Sequence, residues 1–193
     1  LTTEKFFDDD SILAEKASKG DRAAFSALVE KYQGPIYGYA LHFFRNPDSA
    51  SDVAQDTFLR AYRFLHTYDS SRRFATWLYT IARNLCIDRH RDDQRRGGHG
   101  ITESTGAETD GARSHEKSPL AILEGREERA RLATAIRGLP EKYRTPVILC
   151  YAQGLSYQEI SEILGISLNN TKIRIFRAKK LLLKELGLSE DET

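Results

Sequence analysis

The residues with the clearest chemical purpose lie near the end of the chain. Asn169, Lys172, Ile173, Phe176, Arg177 and Lys180 fall on one stripe of a helical wheel drawn from Ser167 onward, and no acid interrupts residues 168–184. An amide, several cations and two apolar side chains on one stripe suit the major groove of duplex DNA. There Lys or Arg meets phosphate or guanine edges, and apolar groups meet thymine methyls. A helix that merely faces water more often mixes acids with its bases as i,i+4 pairs. Thr171, Ile175, Ala178 and Leu182 fall at i, i+4, i+7 and i+11 on a different stripe and are expected to pack inward. Charge alone fits equally a surface helix for RNA, a membrane or a partner. The segment in front favours DNA: a short amphipathic helix over about 157–164, a Gly165 turn and a Ser167 cap have helix-turn-helix spacing.

A second set of polar residues lies at 68–91, YDSSRRFATWLYTIARNLCIDRHR. Phe74, Trp77, Leu78, Ile81, Ala82 and Leu85 trace a stripe expected to be buried, which leaves Tyr79, Thr80, Arg83, Asn84 and Ile87 on the other face. Tyr68, Arg72 and Arg73 lie just ahead in a Ser-Arg-Arg loop. Aromatics interleaved with cations suit single-stranded nucleic acid, where bases stack and cations hold phosphates. A solvated helix face is the alternative reading, and Arg72 and Arg73 fit simple phosphate contacts too.

Catalysis and metal binding find little footing. Residues 97–100, GGHG, lack the strand, helix and Lys of a phosphate loop. Asp88, His90 and Asp92 sit at successive offsets of two, which spreads them around a helix rather than onto one ligand-bearing face. Cys86 and Cys150 are far apart, show no CxxC pattern and read as small hydrophobes in a reducing compartment. No enzyme activity, cofactor or metal is expected.

The elements that must carry these residues are helical throughout. The 193 residues hold 29 Lys and Arg against 28 Asp and Glu, a net charge of +1, so any nucleic-acid surface must come from local charge. Basic residues gather at 72–96 and 172–184, whereas both ends are acidic. Apolar residues recur at three- and four-residue spacing from Ser11 to about Arg91, as at Ala24, Phe25, Leu28, Val29 and Tyr32 or Val53, Phe58, Leu59, Tyr62 and Leu65. Gly34-Pro35 and Asn46-Pro47 read as punctuation between helices. Residues 92–119 are Gly, Ser, Thr and charge, unable to offset ordering entropy by burial, and read as a flexible linker. Helical spacing resumes at Leu120, with Pro140 suited to a helix start and Gly154 to a helix end. The expectation is an all-α chain of two small helical domains, 1–91 and 120–187, joined by linker 92–119 and closed by an acidic tail, 188–193. No apolar run is long enough to span a membrane, and no signal peptide pattern begins the chain, so a cytoplasmic location is expected.

Four stretches, in order, resemble the extracytoplasmic-function (ECF) group of RNA polymerase sigma factors within the sigma-70 family. SDVAQDTFLRAYRFL (51–65) is similar to the helix that docks on the polymerase clamp, and FATWLYTIARNLCIDRHR (74–91) to the helix that melts and reads the −10 element. LPEKYRTPVILCYAQGLSYQEISEILGIS (139–167) and NTKIRIFRAKKLL (170–182) resemble the −35-binding domain. The resemblance implies two helical domains, named sigma2 and sigma4, and an alternative sigma factor that directs promoter recognition and opening for a stress or envelope regulon. Implied partners are core RNA polymerase, through its β′ clamp and β flap, promoter DNA, and an anti-sigma factor.

By position, the resemblance assigns Asp52, Gln55 and Asp56 to the β′ clamp, and Asn84 to a flipped −10 base within a pocket walled by Tyr68–Arg73. Tyr79 and Arg83 join that −10 group, and Asn169, Lys172, Ile173, Phe176, Arg177 and Lys180 form the −35 group. The linker would thread toward the active-site channel, with Glu103, Glu108, Asp110 and Glu116 mimicking RNA charge. Asn169, Thr171 and Ile173 depart from the family's Gly-Thr-Val-Lys-Ser-Arg-Leu pattern, so the resemblance carries the docking mode and leaves the −35 sequence open.

Overall fold

A computed structural model describes residues 9–95 and 119–188. The acidic linker positions Glu103, Glu108, Asp110 and Glu116 and tail residues 189–193 lie outside the described residues. Among the described residues eight α-helices follow one another: α1 (Asp9–Ser18), α2 (Arg22–Phe44), α3 (Pro47–Phe64), α4 (Phe74–Arg95), α5 (Pro119–Gly138), α6 (Glu141–Val147), α7 (Tyr157–Leu164) and α8 (Leu168–Leu186). No strand occurs among the described residues. The chain divides into two compact units: α1–α4, with which α7 is grouped, and α5, α6 and α8.

In the first unit α2 packs against α1, α3 and α4. Its ends are built by local chemistry. The Asp21 carboxylate accepts from the Ala24 amide at 3.1 Å, and Arg45 closes the helix in the left-handed region at φ 57°, its amide donating to the Leu41 carbonyl. Asn46 then caps α3 by accepting from the Ser49 amide at 2.9 Å, with Pro47 in the first turn, as expected from the sequence.

Gly34-Pro35 does not break α2, contrary to expectation. The helix runs through Pro35, giving up one backbone bond, because Leu28, Tyr32, Ile36, Tyr39 and Ala40 on its buried side hold both halves on the same core. α4 likewise continues to Arg95, past the expected domain end at residue 91.

α1 is tied down by a polar contact. Asp10, only 2% exposed, accepts from the Tyr32 hydroxyl at 2.6 Å and from Lys31 Nζ at 2.6 and 2.7 Å. Ala14 and Ala17 let the helix lie close to its neighbours.

In the second unit α5 and α6 pack on α8 around Leu139, Val147 and Ala178. Arg144, buried within α6, donates to the Arg137 and Leu139 carbonyls at 3.1 and 3.3 Å and so satisfies the end of α5. Pro146 lacks an amide, and after it the ladder widens to π spacing over Ile148–Ala152. Gly154, Gly165 and Gly187 take positive φ, at 64°, 62° and 71°, which is the conformation that lets the chain turn after Ala152, α7 and α8.

Removing the Asp10 carboxylate takes a hydrogen-bond partner from the buried Tyr32 hydroxyl. Asp10→Ala is expected to lower stability by about 2 kcal/mol, read from urea denaturation. The exposed Lys31 ammonium is resolvated and adds little.

Candidate nucleic-acid interface

α8 sorts its side chains as its sequence requires. Ser167 starts it by accepting from the Asn170 amide at 3.2 Å. Thr171, Ile175 and Ala178 are buried, with Leu182 partly so. The Thr171 hydroxyl costs nothing there, since it donates to the Ser167 carbonyl at 3.3 Å. On the opposite side Asn169, Lys172, Ile173, Phe176, Arg177 and Lys180 are all exposed. Phe176, at 60% exposure, lies under Lys180 Nζ, 5.1 Å from the ring centroid. An exposed phenylalanine held beside a cation presents both an apolar contact for a base methyl and a charge for phosphate.

Arg177 has a neighbour outside its own helix. The nearby Arg177 guanidinium holds the Tyr143 phenol of α6 below its ordinary value. Partial burial opposes the shift, and the charges of Lys142 and Arg177 reinforce it. The order of residues gave no signal for this neighbour, because Tyr143 precedes the helix-turn-helix altogether.

In the first unit the loop before α4 is held by its own side chains. The Tyr68 hydroxyl donates to the Arg72 carbonyl at 2.6 Å, and Asp69 accepts from the Ser71 amide at 2.9 Å. The Tyr68 ring packs on Phe74 and Trp77, so Tyr68 shapes the loop while itself half-buried. Arg72 and Arg73 are exposed, Arg83 is half-buried, and Asn84 is exposed with its side-chain oxygen 3.4 Å from Arg83 Nη1.

Tyr79 does not belong with them. It is 1% exposed, stacked edge-on against Tyr39 at 5.6 Å, and burial pushes its phenol far above the ordinary range. The buried stripe of α4 runs through Phe74, Leu78, Tyr79, Ala82, Leu85 and Cys86, whereas Trp77 and Ile81 are only half-buried. The stripe is turned slightly from the expected one because α4 packs on both α2 and α3, and Tyr79 meets Tyr39 of α2.

α3 presents an acidic edge of Asp52, Gln55 and Asp56, all exposed, with Asp52 paired to Arg89 at 2.5 Å. Beside it α2 and α3 border an open groove of about 650 Å³ lined by Phe25, Val29, Tyr37, Phe58, Leu59 and Tyr62. Leu59 and Tyr62 are 60% and 56% exposed although they repeat at core-like spacing. Periodicity marks an apolar face; it does not say whether the protein itself covers it.

Residues 28–96 match the family described as Sigma-70 region 2, and residues 129–182 match Sigma-70, region 4. The ECF RNA polymerase sigma factor SigW of Bacillus subtilis (strain 168) is 36% identical over 180 residues, covering 89% of this chain and 94% of that protein. The chain belongs to the ECF RNA polymerase sigma factors. The RNA polymerase sigma-H factor of Pseudomonas aeruginosa is 34% identical, covering 93% of this sigma factor and 94% of its own length. Among solved structures, CnrH in complex with the cytosolic domain of CnrY aligns with TM-score 0.68 and 28% identity, covering 93% of this chain and 98% of that one. The sigma factor RpoE of Bartonella quintana, solved with the anti-sigma factor NepR, shares the fold at TM-score 0.69 and 21% identity, over 86% of this chain and 98% of that one.

Among the described residues no group of three or more His, Cys, Asp or Glu is placed to hold a metal ion, and no helix is long and apolar enough to cross a membrane. Cys86 is buried, and burial raises the half-buried Cys150 thiol, which makes it a poorer nucleophile.

The Tyr79 hydroxyl has no hydrogen-bond partner among the described residues. Tyr79→Phe is therefore expected to leave promoter opening unchanged and to hold or raise stability by up to about 1 kcal/mol. Thermal unfolding and in vitro transcription of the variant would check both halves.

Proposed function

We propose that this sigma factor works by binding alone, with its polymerase, −10 and −35 contacts carried by three separate faces. The exposed recognition face of α8 carries the reading: six side chains suited to a duplex all point outward, while the helix is anchored by Thr171, Ile175 and Ala178. Asn169, Lys172, Ile173, Phe176, Arg177 and Lys180 take the −35 duplex. Arg72, Arg73 and Arg83 hold the melted −10 strand, with Asn84 reading a flipped base through its amide. Tyr68 contributes by holding the loop in shape.

Core polymerase docks on α3 through Gln55 and Asp56, with Asp52 set against Arg89, and an apolar element of the clamp enters the neighbouring groove. Support comes from the groove's exposed Leu59 and Tyr62, which a solvated surface has no reason to group. Strand separation costs a few kcal/mol per flipped base, and pocket contacts with phosphate neutralisation offset it, so no hydrolysis is needed. The site of action is the cytoplasm, and the regulon concerns stress or the envelope. An anti-sigma factor, of the kind named with Bartonella quintana RpoE, silences the factor by covering these faces.

In vitro transcription with core enzyme tests the division of labour. Asn84→Ala is expected to reduce open-complex formation about tenfold while leaving −35 duplex binding intact, and Arg177→Ala to do the reverse. Leu59→Asp should weaken capture of core polymerase with both DNA activities of the free chain unaffected. Equal behaviour of the Asn84 and Arg177 variants at a defined promoter would overturn the assignment.

A further inference from the structure

Two adjacent polar residues at the start of α1 are buried, and each holds a different tyrosine. Asp10 accepts from the Tyr32 hydroxyl of α2 at 2.6 Å. Ser11, only 4% exposed, places its hydroxyl 3.1 Å from the hydroxyl of Tyr68, the residue that opens the loop before α4. α1 also lies against α4 and against the short turn Leu65–Thr67, whose Leu65 carbonyl accepts from the Tyr68 amide at 3.0 Å.

Proton accounting gives the Ser11 contact a direction. A phenol has one hydroxyl hydrogen. Tyr68 donates it to the Arg72 carbonyl at 2.6 Å, and a carbonyl only accepts. The Ser11 hydroxyl is therefore the donor to Tyr68. Ser11, Tyr68 and Arg72 form a one-way chain of hydrogen bonds, in which each bond polarises and strengthens the next. The Tyr68 ring is held separately, by Phe74 at 5.6 Å and Trp77 at 5.5 Å. Phe74 in turn meets the Tyr32 ring at 5.6 Å, so Asp10 reaches the same loop through aromatic packing. Arg72 and Arg73 are themselves exposed, and α1 supports the loop that carries them from the buried side.

We propose that Ser11 is a positioning residue for the −10 contact. By donating to Tyr68 it fixes loop 68–73 in the shape that meets the melted strand, which makes α1 a part of the promoter-opening machinery. The role rests on that loop being the −10 contact. Ser11 itself touches no DNA.

The test uses the full chain with core RNA polymerase and a promoter selected by the wild-type holoenzyme from a random pool. Open complexes are scored by permanganate reactivity of unpaired thymines, and capture of core polymerase is measured alongside. Trp77 is the one tryptophan of the chain, so its emission reports on the Tyr68 ring packed against it. Ser11→Ala is expected to lower open-complex formation roughly threefold to tenfold, the effect of one hydrogen bond, with core capture unchanged. Acrylamide quenching of Trp77 should rise in the same variant. Tyr68→Phe should show defects at least as large, and adding Ser11→Ala to it should change neither opening nor quenching further, the coupling expected of groups that act through one bond. Thermal midpoints above the assay temperature establish that each variant is folded.

Normal opening by Ser11→Ala, with opening impaired when Arg72→Gln and Arg73→Gln are combined, would sink the role of Ser11 and leave the loop as the −10 contact. Normal opening by the combined arginine variant would overturn the reading of the loop, and the role of Ser11 with it. A Ser11→Ala defect that persists in full with Tyr68→Phe, or that is matched by an equal loss of core capture, would show general loosening of the unit and exclude action through Tyr68.

Discussion

Burial of Thr171, Ile175 and Ala178 under α8 is the constraint from which the recognition face follows. A helix can offer six exposed polar and apolar side chains to DNA only if another stripe anchors it firmly. Ala178 allows α6 and α5 to approach closely, and the Thr171 hydroxyl finds the Ser167 carbonyl instead of water. The capping oxygen of Ser167 begins the same turn, so helix start and core contact are set within five residues. The helix backbone under the proposed binding face is therefore in place before DNA arrives, and little of the interaction energy is spent on ordering it.

The first unit solves a different problem. Single-stranded DNA offers no groove, so the proposed −10 contact depends on a shaped loop beside a helix. Tyr68 serves that shape with both its ends: the ring covers Phe74 and Trp77, and the hydroxyl closes on the Arg72 carbonyl. Arg72 and Arg73 are thereby presented at the mouth of α4, with Asn84 three turns along. Tyr79, which shares the aromatic-and-cation pattern, works from the inside as a packing residue.

The proposed docking of core polymerase gives the apolar groove between α2 and α3 a use. Phe25 and Tyr62 meet edge-on at 5.0 Å on its wall, and the acidic edge of α3 lies alongside. Apolar surface flanked by charge is the composition of a protein docking face, with the charges supplying register and the apolar groups most of the affinity. The same α2 tolerates Pro35 because its other side is fully engaged in the core.

The order of residues alone determined the helical content, the two basic faces, the inward and outward stripes of α8, and the family. Those properties follow from spacing along a single helix, where a 3.6-residue period fixes which side chains are neighbours. Tertiary structure alone decided the rest. Whether Tyr79 or Trp77 enters the core depends on which helices flank α4. Whether Leu59 is covered depends on what stands opposite α3. That Tyr143 packs on Ala178 and its core neighbours depends on α6 lying against α8. Each is a contact between residues distant in the chain, and periodicity within one helix carries no information about the surface that meets it.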